Sequence, residues 1–189
     1  MEELLSKFKG ALIGSALGDA IGKALEDVPE EEVLGFYGGR VQGFVPAHPS
    51  SPATDLEPNQ TSDETTISLL LAESIVEKGQ IDPFHFFEKL KGWYEDEKSH
   101  RYPDPTLLTA IDLLSQGIGL EDAGLVSFSV EGILRCVVVG LFHHYNPYIT
   151  AEGSRLVSLI THRSKEIYDA SAMYGCAISY LVMETFDLS

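Results

Sequence analysis

Apolar residues recur every three to four positions in most segments of this 189-residue chain, and residues that start or stop helices stand at the breaks. Lys78-Gly79 is a cationic last turn followed by a glycine, and Asp82-Pro83 is an N-cap followed by a proline. This spacing is the period of an α-helix, whereas a half-buried strand alternates every second residue. The sequence therefore predicts an all-α fold, a compact multi-helix bundle of about seven helices in a single domain over residues 1–189.

The segment Ile133–Phe142 is the least clear of the predicted helices. It is apolar apart from Arg135 and Gly140, and its three valines would also suit a buried strand. We interpret it as a buried helix because the neighbouring segments are helical. An arginine in such a segment should be paired, either with a core carboxylate or with a bound anion.

The first predicted helix, from about Glu2 to Ala24, has a glycine at every fourth position. These glycines share one face of the helix: Gly10, Gly14, Gly18 and Gly22. Each costs about 1 kcal/mol relative to alanine, so the face needs a reason. The first explanation is close approach of another helix backbone, and the second is close approach of a ligand. Asp19 lies among them, where a hydrogen-bonded structural acid is the usual interpretation.

A second helix opens at Thr61-Ser62-Asp63-Glu64-Thr65, after the long segment Glu26–Gln60. One interpretation is a capping box, in which Thr61 accepts from the amide of Glu64 and the Glu64 side chain reaches back. The other is a site for a hard cation, because two carboxylates and a hydroxyl offer the oxygen ligands that Mg²⁺ prefers. Both can hold at once. The long segment should also bring Glu26 to the same cleft as this helix start.

The formal net charge of −16 argues against nucleic acid or an anionic membrane surface as a partner, since those need clustered Lys and Arg. No run is long and apolar enough to cross a bilayer, and the first residues do not resemble a signal peptide. Cys136 and Cys176 fall in apolar, helix-like surroundings and are interpreted as reduced cysteines. We therefore expect a cytoplasmic protein.

Four separated segments resemble the ADP-ribosylglycohydrolase family, in particular its dinitrogenase-reductase-activating type. Gly10–Gly22, with Glu26 four residues later, is similar to the opening helix of that family. Ser62-Asp63-Glu64-Thr65 resembles its Thr-Asp-Asp-Thr. Gly132-Ile133-Leu134-Arg135 resembles a segment that reads Asn-Gly-…-Met-Arg, and Thr161-His162 resembles a Thr-His before another helix. Each match is weak alone, but the ordered set is fairly specific.

The resemblance implies Mg²⁺-dependent hydrolysis of the glycosidic bond at the ribose C1 of an ADP-ribosylated protein or small molecule. It implies that Ser62, Asp63 and Glu64 are metal ligands. It also implies that Glu26 is the catalytic residue, as a substrate gate or orienting acid. Four further residues are implied to bind the ADP-ribose-type ligand: Asp19, Gly132, Arg135 and His162.

The family carries a second motif, Asp-x-Asp-Thr, which supplies about half of the metal ligands, and this sequence reaches Ser189 without one. We therefore expect one weak Mg²⁺ site at best. We also expect exposed apolar surface that a second copy or another chain would cover. A competing hypothesis is a non-catalytic helical remnant that binds a nucleotide, a metal or a partner chain. A third is a scaffold in which Thr61–Thr65 only caps a helix.

Overall fold

The computed structural model describes residues 2–184, which are all-α, as the sequence predicts. The helices are α1 Glu2–Gly22, α2 Glu30–Tyr37, α3 Asp63–Lys78, α4 Pro83–Glu95, α5 Pro105–Ser115, α6 Leu120–Ala123, α7 Glu131–Leu134, α8 Cys136–Phe142, α9 Pro147–Leu159 and α10 Lys165–Met183. Short 3₁₀ turns follow α1 at Lys23–Leu25 and α4 at Glu97–Ser99. A single bridge of extended backbone joins Leu125 to His162. None of the described helices is both long enough and apolar enough to span a bilayer.

Helix α8 lies at the centre of the bundle, in contact with α1, α3, α9 and α10. Every residue of it from Cys136 to Leu141 is buried, which confirms the predicted buried helix. The predicted single segment is nevertheless divided, since α7 ends at Leu134 and Arg135 joins it to α8. Around this axis, the core contains Ile67 and Leu71 of α3 together with Phe86 and Leu90 of α4.

The start of α3 differs from the predicted capping box. Ser62, not Thr61, is the N-cap, and its Oγ accepts from the amide of Glu64 at 3.3 Å. Ser62 has the extended backbone that precedes the first helical turn, so its hydroxyl is the one within reach of the free amides. The Glu64 side chain does not reach back to Thr61 but takes part in a polar cluster described below.

Two other helix ends follow the signals predicted from the sequence. Asp82 accepts from the amides of Phe84 and His85, and Gly79 ends α3 in the left-handed region at φ 68°. Asn146, which precedes Pro147, caps α9 by accepting from the amides of Tyr148 and Ile149. Because proline is favoured at the first helical position, the Asn-Pro pair sets the start of that helix.

The long segment between α1 and α3 contains a helix, α2, that the sequence analysis did not predict. Three glutamates occupy its first turn, where the helix dipole favours negative charge. It ends at Gly38, with φ 73°, and buries none of its own residues. A helix of eight residues without a buried face has no apolar period, so the sequence pattern contains no signal for it.

The glycine face of α1 is open, so the prediction that another helix backbone approaches it is wrong. A Cβ built on Gly10, Gly14, Gly18 or Gly22 would meet no other atom within 4 Å. The apolar side of α1 is also more exposed than its helical spacing suggests, with Leu5 at 53% and Ile13 at 59%. The close backbone approach occurs instead between α8 and α10, where a Cβ on Gly140 would lie 2.5 Å from the carbonyl oxygen of Gly175.

Candidate active site

A cleft of about 560 Å³ lies along the glycine face of α1. Val137 of α8 and Tyr174 and Ile178 of α10 contribute an apolar wall. Four charged side chains also line the cleft: Asp19, Lys23, Glu26 and Glu64. This volume is within the range of sites that hold small molecules or cofactors.

Asp19 ties α1 to the start of α3. Its carboxylate accepts from the Ser62 amide at 3.0 Å, the Ser62 hydroxyl at 2.7 Å and the Thr65 hydroxyl at 2.5 Å. Three donors satisfy this acid, as its interpretation as a structural acid predicts. Asp19 also faces the cleft, so the same contacts position the first turn of α3 beside the glycine wall.

Lys23 places a positive charge between two of the carboxylates. Its Nζ lies 2.6 Å from Glu64 Oε1 and 2.9 Å from Glu26 Oε2, the second contact lacking hydrogen-bond geometry. It also lies 4.8 Å from the centre of the Tyr102 ring. The side chain is only 7% exposed. Burial opposes the charged form, but the two carboxylates outweigh it and raise the pKa of Lys23, so the ammonium stays charged.

Glu64 is poised to change charge near neutrality. Burial raises its pKa to about 7, against the lowering effect of Lys23. The Ser62 hydroxyl contacts both Glu64 Oε2 and Asp19 Oδ1. Since a hydroxyl has one proton, a protonated Glu64 can donate to Ser62 while Ser62 donates to Asp19. The contacts of the Ser62 hydroxyl and the raised pKa of Glu64 are therefore both explained by a protonated Glu64.

Asp63 does not join this group, so the prediction that it converges with Glu26 and Glu64 on one cleft is wrong. It is 2% exposed and does not line the cleft. Its Oδ2 accepts from the amide of Arg101 at 2.7 Å, and its Oδ1 has no partner among the described residues. Burial raises the pKa of Asp63 above its ordinary value. The amide of Arg101, far along the chain, decides where this side chain points.

Gly132, Arg135 and His162, predicted on the ligand, lie in a buried cluster rather than in the cleft. Arg135 pairs with Glu131 and donates to Thr161 Oγ1 at 2.8 Å, which confirms pairing with a core carboxylate. A Cβ on Gly132 would lie 2.6 Å from His162 Nδ1, so the ring packs directly on this backbone. Burial lowers the pKa of His162 to about 4, which leaves the imidazole neutral. The implied role of these residues in binding ADP-ribose stays a prediction.

The sequence analysis missed Lys23 and Glu131. The spacing of each residue from its partner was a usable signal, since Lys23 lies three residues before Glu26 and Glu131 lies four residues before Arg135. Opposite charges at these separations face each other on a helix. The spacing shows that a pair can form, but it does not show that the pair is buried.

The oxygens that the resemblance assigns to Mg²⁺ are already in use. Glu64 contacts Lys23 and Ser62, and the Ser62 hydroxyl also contacts Asp19. Asp63 accepts from Arg101 outside the cleft. Among residues 2–184 no group of three or more His, Cys, Asp and Glu side chains is arranged to hold a metal ion. The arrangement therefore does not fit a divalent ion without rearrangement.

We expect Glu64→Gln to make the protein more stable relative to the wild type as the pH rises from about 4.5 to about 8. The pKa of Glu64 is raised in the folded state, so its favourable contribution is complete below its ordinary value of 4.5 and is lost as the pH rises through about 7. Glutamine keeps the shape and does not ionise. The difference in the free energy of unfolding should reach about 3 kcal/mol, measured by urea unfolding across this range.

Glu77→Gln is the matched control, because Glu77 also pairs with a lysine, Lys89, but on the surface. The pKa of Glu77 is lowered by Lys89, so this variant should lose stability relative to the wild type at higher pH, the opposite sign. Parallel pH curves for Glu64→Gln and the wild type would contradict the titration of Glu64.

Comparisons with known proteins give one consistent result. The sequence profile described as ADP-ribosylglycohydrolase matches residues 1–188. An uncharacterized protein of Archaeoglobus fulgidus is 30% identical over 99% of this chain. The ADP-ribosylarginine hydrolase Tri1 of Serratia proteamaculans is 31% identical over 95% of it, and the ADP-ribosylhydrolase ARH3 of Danio rerio is 26% identical over 93%.

The matched regions cover only part of these relatives. They span 58% of the Archaeoglobus fulgidus protein, 48% of the Serratia proteamaculans protein and 47% of the Danio rerio protein. The chain thus spans about half the length of the curated relatives that it matches. The family profile covers every residue of the cleft described above.

Proposed function

Because this chain belongs to the ADP-ribosylglycohydrolase family, we propose that its cleft binds an ADP-ribose unit and hydrolyses the bond that links C1 of the ribose to a protein side chain or small molecule. The family acts on ADP-ribose substrates. Two relatives are named ADP-ribosylarginine hydrolases, which makes an arginine-linked N-glycoside the first substrate to test.

The observation that carries this proposal is the meeting of Glu26, Glu64 and Lys23 in one cleft of about 560 Å³. Hydrolysis at C1 needs groups that orient a water molecule and that hold or release a proton, and carboxylates serve both needs. The apolar wall supplies surface for the flat parts of a nucleotide and excludes water beside the carboxylates.

Glu26 and Glu64 have different roles because their surroundings differ. Glu26 has a side chain 36% exposed, so its carboxylate can orient a water molecule that attacks C1. Glu64, with a pKa of about 7, can hold a proton at neutral pH and pass it toward the leaving nitrogen or oxygen. In the overall step a water oxygen bonds to C1, the C1–N or C1–O bond breaks, and the proton goes to the leaving group. Lys23 and Asp19 keep both acids in place.

Members of this family are typically metal-dependent. Ligation of Mg²⁺ by Ser62, Asp63 and Glu64 stays a prediction for this chain. It would require Glu64 to leave Lys23, Ser62 to leave Asp19, and Asp63 to leave the amide of Arg101. We therefore derive no step through a metal ion.

Glu26→Gln should lower the rate of ADP-ribose release by about a hundredfold, because an amide cannot act as a base toward water. The assay incubates the chain with an ADP-ribosylated arginine peptide and measures free ADP-ribose by chromatography, with and without Mg²⁺. Glu32→Gln, on exposed α2, is the control and should release ADP-ribose at the wild-type rate. Equal rates for Glu26→Gln and the wild type would remove Glu26 from the mechanism.

The alternative is a chain that binds ADP-ribose without cleaving it. One observation favours it: the polar contacts of the acids are made within the chain. Calorimetric binding of ADP-ribose without product release in the peptide assay would support this alternative. Completion of the core by a second copy or another chain stays a prediction, which the exposed Leu5 and Ile13 of α1 support.

A further inference from the structure

We propose that Lys23 is a tethered cation that fills the place between Glu26 and Glu64, so that it keeps divalent ions out of this acidic cleft. The proposal concerns metal binding by the free protein and does not depend on the proposed hydrolysis. It means that one side chain, that of Lys23, determines whether the cleft binds a metal ion.

The fold holds the ammonium group in the cleft. Lys23 begins the 3₁₀ turn that follows α1, and its carbonyl oxygen accepts from the Ser51 hydroxyl at 3.1 Å. The side chain is 7% exposed, and the Tyr102 ring lies 4.8 Å from the ammonium. A lysine fixed at both its backbone and its charged end has few other positions, since its stem is packed and its charge lies between two carboxylates.

The charges of the cleft require a cation. Asp19, Glu26 and Glu64 come together in a protein with a net charge of −16, and like charges held this close disfavour their ionised forms. Lys23 is the cation in contact with two of them. Its ammonium donates a hydrogen bond to Glu64 and forms an ion pair with Glu26 at 2.9 Å.

A divalent ion and this ammonium compete for the same oxygens. Mg²⁺ binds carboxylate oxygens at about 2.0–2.1 Å with near-octahedral geometry. Glu64 Oε1 already lies 2.6 Å from the ammonium, so an ion bound to that oxygen would be a few ångströms from a second positive charge. At such a distance two unit charges repel by several times the thermal energy near a protein surface. One cation therefore excludes the other.

The chain contains a matched arrangement on its surface. Lys89 lies 2.6 Å from Glu77 and 3.5 Å from Glu73, so it also bridges two glutamates, but these are more than half exposed. Removing Lys89 leaves two carboxylates that are solvated. Lys89→Met therefore controls for the mere loss of a lysine between two glutamates.

The test measures binding of Mn²⁺ by electron paramagnetic resonance and of Mg²⁺ by calorimetry, without substrate. We expect no saturable binding in the millimolar range for the wild type, for Lys23→Arg, which keeps the charge, or for Lys89→Met. Lys23→Met should bind one ion at least about tenfold more tightly than the wild type. Adding Glu64→Gln to Lys23→Met should abolish the gain, which assigns the ion to this cleft.

Two results would overturn the proposal. One is saturable one-to-one binding of Mn²⁺ by the wild type with an affinity equal to that of Lys23→Met. The other is a folded Lys23→Met, by circular dichroism, that gains no affinity. If Lys23→Met does not fold, Lys23→Gln serves as a second neutral variant, and tight binding by the wild type alone still decides against the proposal. Failure of the hydrolysis assay leaves these outcomes unchanged.

Discussion

Arg135→Met is expected to lower the free energy of unfolding by about 3–5 kcal/mol at pH 8. Arg135 is completely buried, pairs with Glu131 and donates to Thr161 Oγ1. Methionine fills a similar volume but leaves the Glu131 carboxylate buried without a counter-charge. The measurement is urea unfolding followed by circular dichroism. The dependence of the free energy of unfolding on urea concentration should equal that of the wild type, which shows that the unfolding transition is unchanged.

The double variant Arg135→Met, Glu131→Met distinguishes the loss of charge balance from a loss of packing. Removing both charges should restore most of the stability, because apolar replacement of a buried ion pair is often neutral or stabilising. The single variant should also recover stability as the pH is lowered, since burial raises the pKa of Glu131 and protonation removes the unpaired charge. Additive losses in the double variant, or a single loss below about 1 kcal/mol, would contradict this account.

This buried pair also bears on the cleft. It fixes Thr161 and His162 against α7, and Val130 and Leu134 at either end of α7 line the cleft. The pair therefore acts on the site through the position of α7. A chain that keeps its fold but loses this pair should lose affinity for a ligand as well as stability.

The helices were predictable because their signals are local. An apolar period of three to four residues and a cap at each break can be read from a few neighbouring residues, as for α3 and α4. Helix α2 was not predicted because it buries no residue and so has no apolar face to detect. The apolar pattern runs through Arg135 without interruption, so it does not contain the division between α7 and α8 at that residue.

The candidate site was less predictable because the direction of a side chain depends on distant partners. Asp63 and Glu64 are adjacent and chemically similar, but the amide of Arg101 holds one and Lys23 holds the other. The sequence indicates that both are acids at a helix start. It does not contain the distances that direct one into the cleft and the other away from it.

The glycines of α1 and α8 are a second case in which the sequence pattern does not show which groups are in contact. Four glycines at regular spacing on α1 indicated a close helix contact, but a Cβ built on any of them would meet no atom of another element within 4 Å. The isolated Gly140 makes that contact: a Cβ there would lie 2.5 Å from the carbonyl oxygen of Gly175 and 2.8 Å from Ile178 Cβ. Backbone on the far side of the contact cannot move without displacing α10.

Gly140→Ala should therefore lower the free energy of unfolding by about 3 kcal/mol, at the upper end of the cost of overpacking, because one added methyl must separate α8 from α10. Gly14→Ala is the matched control, since it adds the same methyl to an open helical position and should stabilise by up to about 1 kcal/mol. Urea unfolding of the two variants measures both effects. Ile178 and Gly14 both line the cleft, so stability and not ligand binding is compared between the two variants. Equal stabilities would show that α8 and α10 can separate without loss, and that the contact at Gly140 does not determine how the helices pack.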